Sequence, residues 1–363
     1  MNNPASSPLI ETQCDGYKKI AVAMSGGVDS AVAALLLCED GYDVEGVTML
    51  LGFPSADPNG SKRLDRRDVE DAKRICARLG IGHRVADFKK EMETEVIEPF
   101  ISEYLCGQTP NPCVVCNRRL KFGLLLDKAL SWGFDGLATG HYAALERKDG
   151  VYRLKKPEDR RKDQTYFLYS LPKERLPLLT FPLAGYTKEE VRDLAVRAGF
   201  SMSDKKESQD ICFMPGGGSE AFLRGRGAKM EEGDIIDEAG KVLGRHRGIG
   251  CYTIGQRGGM GISAPEPLYV LKIDAVNNRL IAGKKDGLKA GGLIADEVNW
   301  LVDAVPEEAL AKIRYGHRGA KCRIFPQEKG FIEVRFEEEQ QAISPGQSIV
   351  FYDDSTVLGG GVI

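Results

Sequence analysis

Apolar and polar positions keep one rhythm along the first part of the chain and change to another near residue 215. In the first part, short continuous apolar runs alternate with stretches of helical period. KIAVAM predicts a buried strand. DSAVAALLLCEDGY carries apolar residues along its whole length and predicts a helix, with Gly41 suited to its C-terminal turn. DVEGVTML is the next strand. RDVEDAKRICARLG is a helix with Val69, Ala72, Ile75 and Leu79 on one face and Gly80 as its stop. GHRVADF is a third strand and FDGLATGHY contains a fourth. Strand and helix in alternation predict a parallel sheet with crossover helices. In YTKEEVRDLAVRAG, Thr187 and Glu190 have capping-box spacing, and Val191, Leu194, Ala195 and Ala198 supply a buried face.

The second rhythm begins with MPGGGSEAFLRGRG, a glycine-rich stretch that reads as a linker or mobile loop. Short alternating runs follow: GDIIDEAGKVLG, LYVLKIDAVNNRLIAG, GFIEVRF, QSIVFYD and TVLGGGVI. They predict small antiparallel β units arranged as two barrels, with a hairpin turning at Asn277-Asn278. A length of 363 residues fits two or three domains. The expected division is a disordered lead at 1–16, an α/β domain at 17–215, a central β-rich domain at 216–288 and a C-terminal β-barrel at 289–363.

Composition restricts the setting. At 42% apolar and 28% charged, the chain has a globular composition, and no apolar run is long enough to span a bilayer. The start, MNNPASSPLIETQCDGYKK, has neither an apolar core nor an arginine, so it reads as no secretory or transit signal. Nine scattered cysteines without a signal argue against a disulfide scaffold and for a reducing cytoplasm. The net charge of −3 is low for a chain that only binds nucleic acid. Two stretches are nevertheless cationic: KIRYGHRGAKCR, at 312–323, and RKDGVYRLKKPEDRRKD. Each taken alone reads first as a solvated face.

SGGVDS, Ser25 to Ser30, lies between a predicted strand and a predicted helix. Its glycines allow close approach to backbone N–H groups, its serines add donors, and the helix points its positive end at the same place. That is an anion cradle. It is not a Walker A loop, since no Gly-Lys-Ser/Thr follows. Asp29 inside it calls for a counter-cation beside a polyphosphate, so Mg²⁺ is expected there. The loop resembles that of the pyrophosphatase-loop (PP-loop) ATP enzymes, which adenylylate a carbonyl oxygen and release pyrophosphate. Amidating and sulfur-transferring members both remain open on this loop alone.

The cysteines favour sulfur transfer. PNPCVVCN holds Cys113 and Cys116, and SQDICFMP holds Cys212; both read as constrained loops, with Arg118, Arg119 and Lys121 expected to favour the thiolate near Cys116. Together AMSGGVDS, TPNP..CN..LKF, ATGHYA, KDQTYFL, ESQDICF, YTIGQR and SPGQSIVFYDDSTVLGGGVI resemble the bacterial tRNA 2-thiouridylase family over nearly the whole chain. The resemblance implies an N-terminal PP-loop domain, a small central domain and a C-terminal barrel. It implies ATP-dependent adenylylation of the wobble uridine at O2, then sulfur transfer, in tRNAs for Glu, Gln and Lys. The nucleotide would meet Met24, Ser25, Gly26, Gly27, Val28, Asp29, Ser30, Met49 and Gly140. Cys212 would take up the persulfide and Cys116 would be its catalytic partner, ending in a disulfide with it. Asn111, Pro112 and Cys113 would face the target base. Further tRNA contacts fall on His141, Lys162, Asp163, Gln164, Arg314, Tyr315 and Gln347. The implied partners are tRNA and a cysteine desulfurase or sulfur-relay protein, with the chain itself a monomer. The rival reading is another PP-loop pyrophosphatase, amidating a small molecule.

Position 113 departs from the family, whose better-known members carry aspartate there. The resulting Cys-x-x-Cys leaves three readings open. Cys113 is a tolerated replacement beside persulfide chemistry. Or Cys113, Cys116 and Cys212 bind a [4Fe–4S] cluster with one iron left for sulfide. Or Cys113 and Cys116 form a resolving dithiol or half of a zinc site.

Overall fold

The computed structural model describes residues 18–52, 64–200, 211–214 and 218–363. The lead at 1–16 and the glycines 216 and 217 lie outside the described residues. The chain divides into two compact units: residues 1–95, 113–209 and 354–357 form the first, and 96–112, 210–353 and 358–363 the second. Among the described residues no helix is long and apolar enough to cross a membrane.

The first unit is the predicted parallel sheet. Its strands are β1 (Lys19–Ala23), β2 (Asp43–Leu50), β3 (Gly82–Asp87), β4 (Gly136–Thr139) and, after the hairpin β5 (Ala144–Lys148) and β6 (Val151–Lys155), the short β7 (Leu179–Thr180). The order is β3-β2-β1-β4-β7, all pairs parallel. The direction of winding reverses between β1 and β4, and ligands of open α/β sheets bind beyond the carboxyl ends of the strands at such a point. The helix Val28–Glu39 is buried nearly all round, through Ala31, Val32, Ala33, Ala34, Leu36 and Leu37, which is why its sequence shows no polar face. The helix Lys188–Arg197 starts on the predicted capping box: Thr187 and Glu190 satisfy each other's backbone N–H.

The segment carrying Cys113 and Cys116 is helical, not the loop its prolines and cysteines suggested. Pro112–Val115 forms a short α-turn, and Cys116–Leu125 continues it as a ten-residue π-helix. A π register is rare because its backbone bonds reach i+5 and need outside support. The support is specific. Asn117 Nδ2 donates to Phe167 O at 3.0 Å, and Arg175 Nη1 donates to Phe122 O at 2.9 Å and Gly123 O at 3.2 Å. Gly123 is required by space, since a Cβ there would stand 2.9 Å from Arg118 O.

In the second unit, β8 (Gly233–Ile236), β9 (Val242–His246), β10 (Tyr269–Asp274) and β11 (Arg279–Gly283) form a sheet ordered β10-β11-β8-β9. These strands form the small central β-rich part of the expected fold. The hairpin turns at Asn277-Asn278 as predicted, with Asn278 left-handed at φ 50°. The remaining strands are β12 (Lys289–Trp300), β13 (Glu308–Lys312), β14 (Ala320–Pro326), β15 (Ile332–Gln341), β16 (Ser348–Asp353) and β17 (Thr356–Val362). They run β12-β15-β14-β13-β16-β17, and β12 pairs with β17 to close a six-stranded barrel. Its interior holds Val334, Ile349 and Phe351, with Trp300 stacked on Phe351 at 5.5 Å.

Replacing Gly123 by Ala tests the π-helix. The added methyl must push Arg118 O away, so Gly123→Ala is expected to destabilise the first unit by about 1–3 kcal/mol. Urea unfolding followed by a probe in that unit reads it as a lower midpoint.

Candidate active site

The cradle forms where the sheet predicts it. β1 ends at Ala23, and Met24 N donates to Val47 O at 2.8 Å, holding the loop against β2. Gly26 is left-handed at φ 71°, and a Cβ there would lie 2.9 Å from both Asp68 O and the Asp71 Cβ. Ser30 Oγ turns back to donate to Gly27 O at 3.0 Å, and lies 3.3 Å from Ser25 Oγ. Gly140, just past β4, packs on the same loop, since a Cβ would come within 2.7 Å of Asp29 C and Ser30 N. The result is a cleft of about 210 Å³ at the ends of β1, β2 and β4. Of the expected nucleotide contacts, Met24, Ser25, Asp29, Ser30, Met49 and Gly140 line it; Gly26, Gly27 and Val28 shape the loop between them.

Asp29 is an ion-pair partner. Lys188 Nζ lies 2.6 Å from its Oδ1 and 2.8 Å from its Oδ2, and Tyr142 OH donates to Oδ1 at 3.0 Å. The Lys188 side chain is 4% exposed, and its backbone N–H donates to Asp159 Oδ2 at 3.0 Å. The counter-cation that Asp29 calls for is therefore an internal ammonium, and the carboxylate as it stands does not fit a free Mg²⁺ ligand. Sequence reasoning passed over Lys188, although the signal was present. Lys188, Val191 and Ala195 are spaced i, i+3, i+7 and are the buried residues of their helix.

The thiols are controlled by burial. Cys116 is 8% exposed and Cys113 is half-buried. Burial pushes both thiols above their ordinary value, and the Lys121 ammonium beside them pulls the other way without prevailing. The expectation that three basic neighbours favour the thiolate is thus corrected: burial outweighs the charge of Lys121 at both sulfurs. Lys121 also lines the cleft. Cys212 belongs to the second unit and is exposed, while its neighbour Phe213 is buried against Phe100, at 5.1 Å, and Phe222, at 5.2 Å. Cys38, Cys76 and Cys322 are held high by burial, as core thiols are.

The expected tRNA contacts are dispersed. In the first unit, His141 lines the cleft with Nδ1 2.8 Å from Thr139 Oγ1, between the rings of Phe122 and Phe181. Gln164 also lines it and accepts from Tyr142 N at 2.8 Å, whereas Asp163 is buried and accepts from Thr165 N at 3.0 Å. Lys162 is half-buried. In the second unit, Gln347 Nε2 donates to Thr109 O at 2.8 Å and Thr109 N to Pro345 O at 2.8 Å, so this turn holds the chain leading to Asn111 and Pro112. Arg314 and Tyr315 are exposed on the barrel.

Two outcomes follow from this geometry. Lys188→Met leaves a partly buried carboxylate without its cation. It is expected to cost about 2 kcal/mol, less than a fully buried pair because the Asp29 side chain is 34% exposed. Adding Asp29→Asn should restore much of the loss, read as non-additivity in a double-mutant cycle of urea midpoints. The second outcome concerns pH. Burial lowers all four histidines, His83, His141, His246 and His317, and His141 falls well below 6.5. The unfolded chain then binds more protons than the folded one below about pH 6.5, so stability is full above that pH and falls as pH drops through it. Urea midpoints between pH 7.5 and 5 check this, and His141→Gln should flatten the slope.

Three family models match the chain: a tRNA methyl transferase HUP domain over residues 18–216, a tRNA methyl transferase PRC-barrel domain over 220–284, and an aminomethyltransferase β-barrel domain over 290–363. Curated relatives match from end to end. One is "tRNA-specific 2-thiouridylase MnmA 1" of Syntrophus aciditrophicus, 51% identical over 95% of this chain and 92% of that protein. Another is "tRNA-specific 2-thiouridylase MnmA" of Geotalea uraniireducens, 47% identical over 95% of each. The protein of that name in Carboxydothermus hydrogenoformans is 46% identical over 96% and 98%. With the PP-loop cleft at the switch point of its sheet and the closed C-terminal barrel, the chain belongs to the tRNA-specific 2-thiouridylase family.

Proposed function

We propose that this chain is an ATP-dependent tRNA sulfurtransferase that converts a wobble uridine to 2-thiouridine. The observation that carries the reading is the sharing of one wall: the π-helix that begins at Cys116 sends Lys121 into the cleft formed by the phosphate-binding loop. A site that only amidates has no use for a thiol on the helix that supplies its wall.

ATP lies along Ser25–Ser30, its phosphates on the loop N–H groups and the positive end of the helix Val28–Glu39. Mg²⁺ comes with the triphosphate, whose charge it screens, since Asp29 is already paired with Lys188. The uracil O2 attacks the α-phosphate, the O2–P bond forms, and pyrophosphate leaves. The terminal sulfur of a Cys212 persulfide then attacks C2, and AMP departs with O2. A Cys116 thiolate attacks the Cys212 sulfur, breaking the S–S bond to the product and leaving a Cys116–Cys212 disulfide that a thiol reductant reopens. Of the three readings of Cys113 we take the first, in which it is a tolerated helix residue.

The target is the anticodon stem–loop of tRNAs for Glu, Gln and Lys, unstacked to expose the base. His141, Lys162, Gln164 and the segment Asn111–Cys113 serve it in the reading adopted here, with Arg314, Tyr315 and Gln347 contacting tRNA from the C-terminal barrel. A cysteine desulfurase or sulfur-relay protein loads Cys212, and the enzyme works in the cytoplasm as a monomer.

The purified chain, given ATP, unmodified tRNA and a persulfide donor, should release AMP and yield 2-thiouridine by nucleoside mass spectrometry. Cys116→Ser and Cys212→Ser should each abolish the product. Cys113→Asp, prepared free of iron, should keep it; activity that follows iron instead would establish the cluster reading. Pyrophosphate release from a small amide-forming substrate, indifferent to Cys212→Ala, would overturn the assignment.

A further inference from the structure

Lys121 is the one cation among the described residues that line the nucleotide cleft, and its position is unusual for a lysine. It is half-buried on the π-helix, yet no carboxylate among the described residues pairs with it. The acid of the same cleft, Asp29, is already held by Lys188. His141, the other cleft residue able to carry a positive charge, is kept neutral by burial. A partly desolvated ammonium without a counter-ion is costly, and natural sites keep one where a negative group arrives. Two groups that can carry negative charge stand beside it. One is whatever occupies the cradle at Ser25 and Gly140, which line the same cleft. The other is the Cys116 sulfur: the π register joins residue i to i+5, so Lys121 stands one π turn above Cys116 and acts on it and on Cys113. In an α-helix the residues over Cys116 would be Arg119 and Leu120, and Lys121, which lines the cleft, would turn away from the thiol.

We propose that Lys121 is a catalytic residue that serves both halves of the reaction, binding the α-phosphate during adenylylation and stabilising the departing AMP and the Cys116 thiolate during sulfur transfer. This rests on the sulfurtransferase reading above. In the first half the O2–P bond forms and the bond from phosphorus to pyrophosphate breaks; Lys121 balances charge on the phosphate oxygens, and the uracil N3 proton passes to water. In the second half the C–S bond forms, the C2–O2 bond breaks, and AMP leaves with the electron pair as a dianion beside the same ammonium. The Cys116 proton goes to solvent, and the thiolate is held by the charge one π turn away.

Lys121→Met and Lys121→Arg test it by two independent readings. The first is the pH dependence of Cys116 alkylation by iodoacetamide, followed by peptide mass spectrometry without ATP or tRNA. Lys121→Met should move the midpoint to higher pH and slow alkylation at pH 8 about tenfold, and Lys121→Arg should restore the wild-type profile. The second is tRNA-dependent pyrophosphate release, expected to fall about 10²-fold in Lys121→Met at saturating ATP and to recover in large part in Lys121→Arg. Wild-type behaviour of Lys121→Met in both readings would overturn the proposal while leaving the sulfurtransferase reading intact. If the wild-type protein forms no 2-thiouridine, the broader reading fails, and the alkylation profile still decides whether Lys121 governs Cys116. An equal loss in Met and Arg variants, with no change in the alkylation profile, would reduce Lys121 to a structural role and also overturn the proposal.

Discussion

The ion pair between Lys188 and Asp29 is the constraint on which the nucleotide cleft depends. A phosphate-binding loop must present N–H groups and a helix end to an anion, and an aspartate inside that loop works against it. With both carboxylate oxygens on one buried ammonium, and Tyr142 donating to one of them, the loop's field is neutralised from behind. The pair also ties the loop after the first strand to the helix Lys188–Arg197. That helix is itself fixed by its capping box and by the Lys188 N–H donated to Asp159. Loss of the pair would therefore disturb position and charge together, which no surface ion pair does.

The second constraint is backbone register. Helical geometry decides which side chains share a face, and a ten-residue π stretch changes the answer from i+4 to i+5. Arg175 and Asn117 support that register from outside, and Gly123 gives it room. Its consequence is chemical. The same helix that buries Cys116 brings Lys121 over it and into the cleft wall. Burial alone would leave an inert thiol, and charge alone would leave a thiolate exposed to any oxidant. The arrangement holds the sulfur protonated at rest, with a cation beside it that opposes the burial.

Most of the α/β unit was legible because its signals are local. Strand runs, glycine stops and the Thr187–Glu190 box depend on neighbours in sequence, and each is found where the pattern placed it. The phosphate loop was legible for the same reason. What escaped was set by tertiary support. The π-helix has no composition of its own, and PNPCVVCN reads as a loop until Phe167 and Arg175 are brought to it. Lys188 escaped because a lysine in the first turn of a helix is assumed to face water, although its spacing to Val191 and Ala195 put it on the buried stripe. The effect of the basic neighbours on Cys116 was misjudged because charge is written in the sequence and desolvation is not.

The two thiols to which the proposed reaction gives work differ in a way that suits them to opposite duties in it. Cys212 is exposed, yet Phe213 beside it is locked into an aromatic cluster with Phe100 and Phe222. An exposed sulfur on an anchored turn suits collision with a donor protein, because access sets the rate of thiol exchange. Cys116 is shielded and held as a thiol by burial, so a donor does not load it by mistake. A sulfur delivered to the exposed site waits as a persulfide, and the shielded thiol acts only when the activated base and its phosphate have entered the cleft beside Lys121. In that order the resolving thiol is the last group to ionise, and premature disulfide formation is avoided by the same desolvation that makes Cys116 look inert in the resting protein.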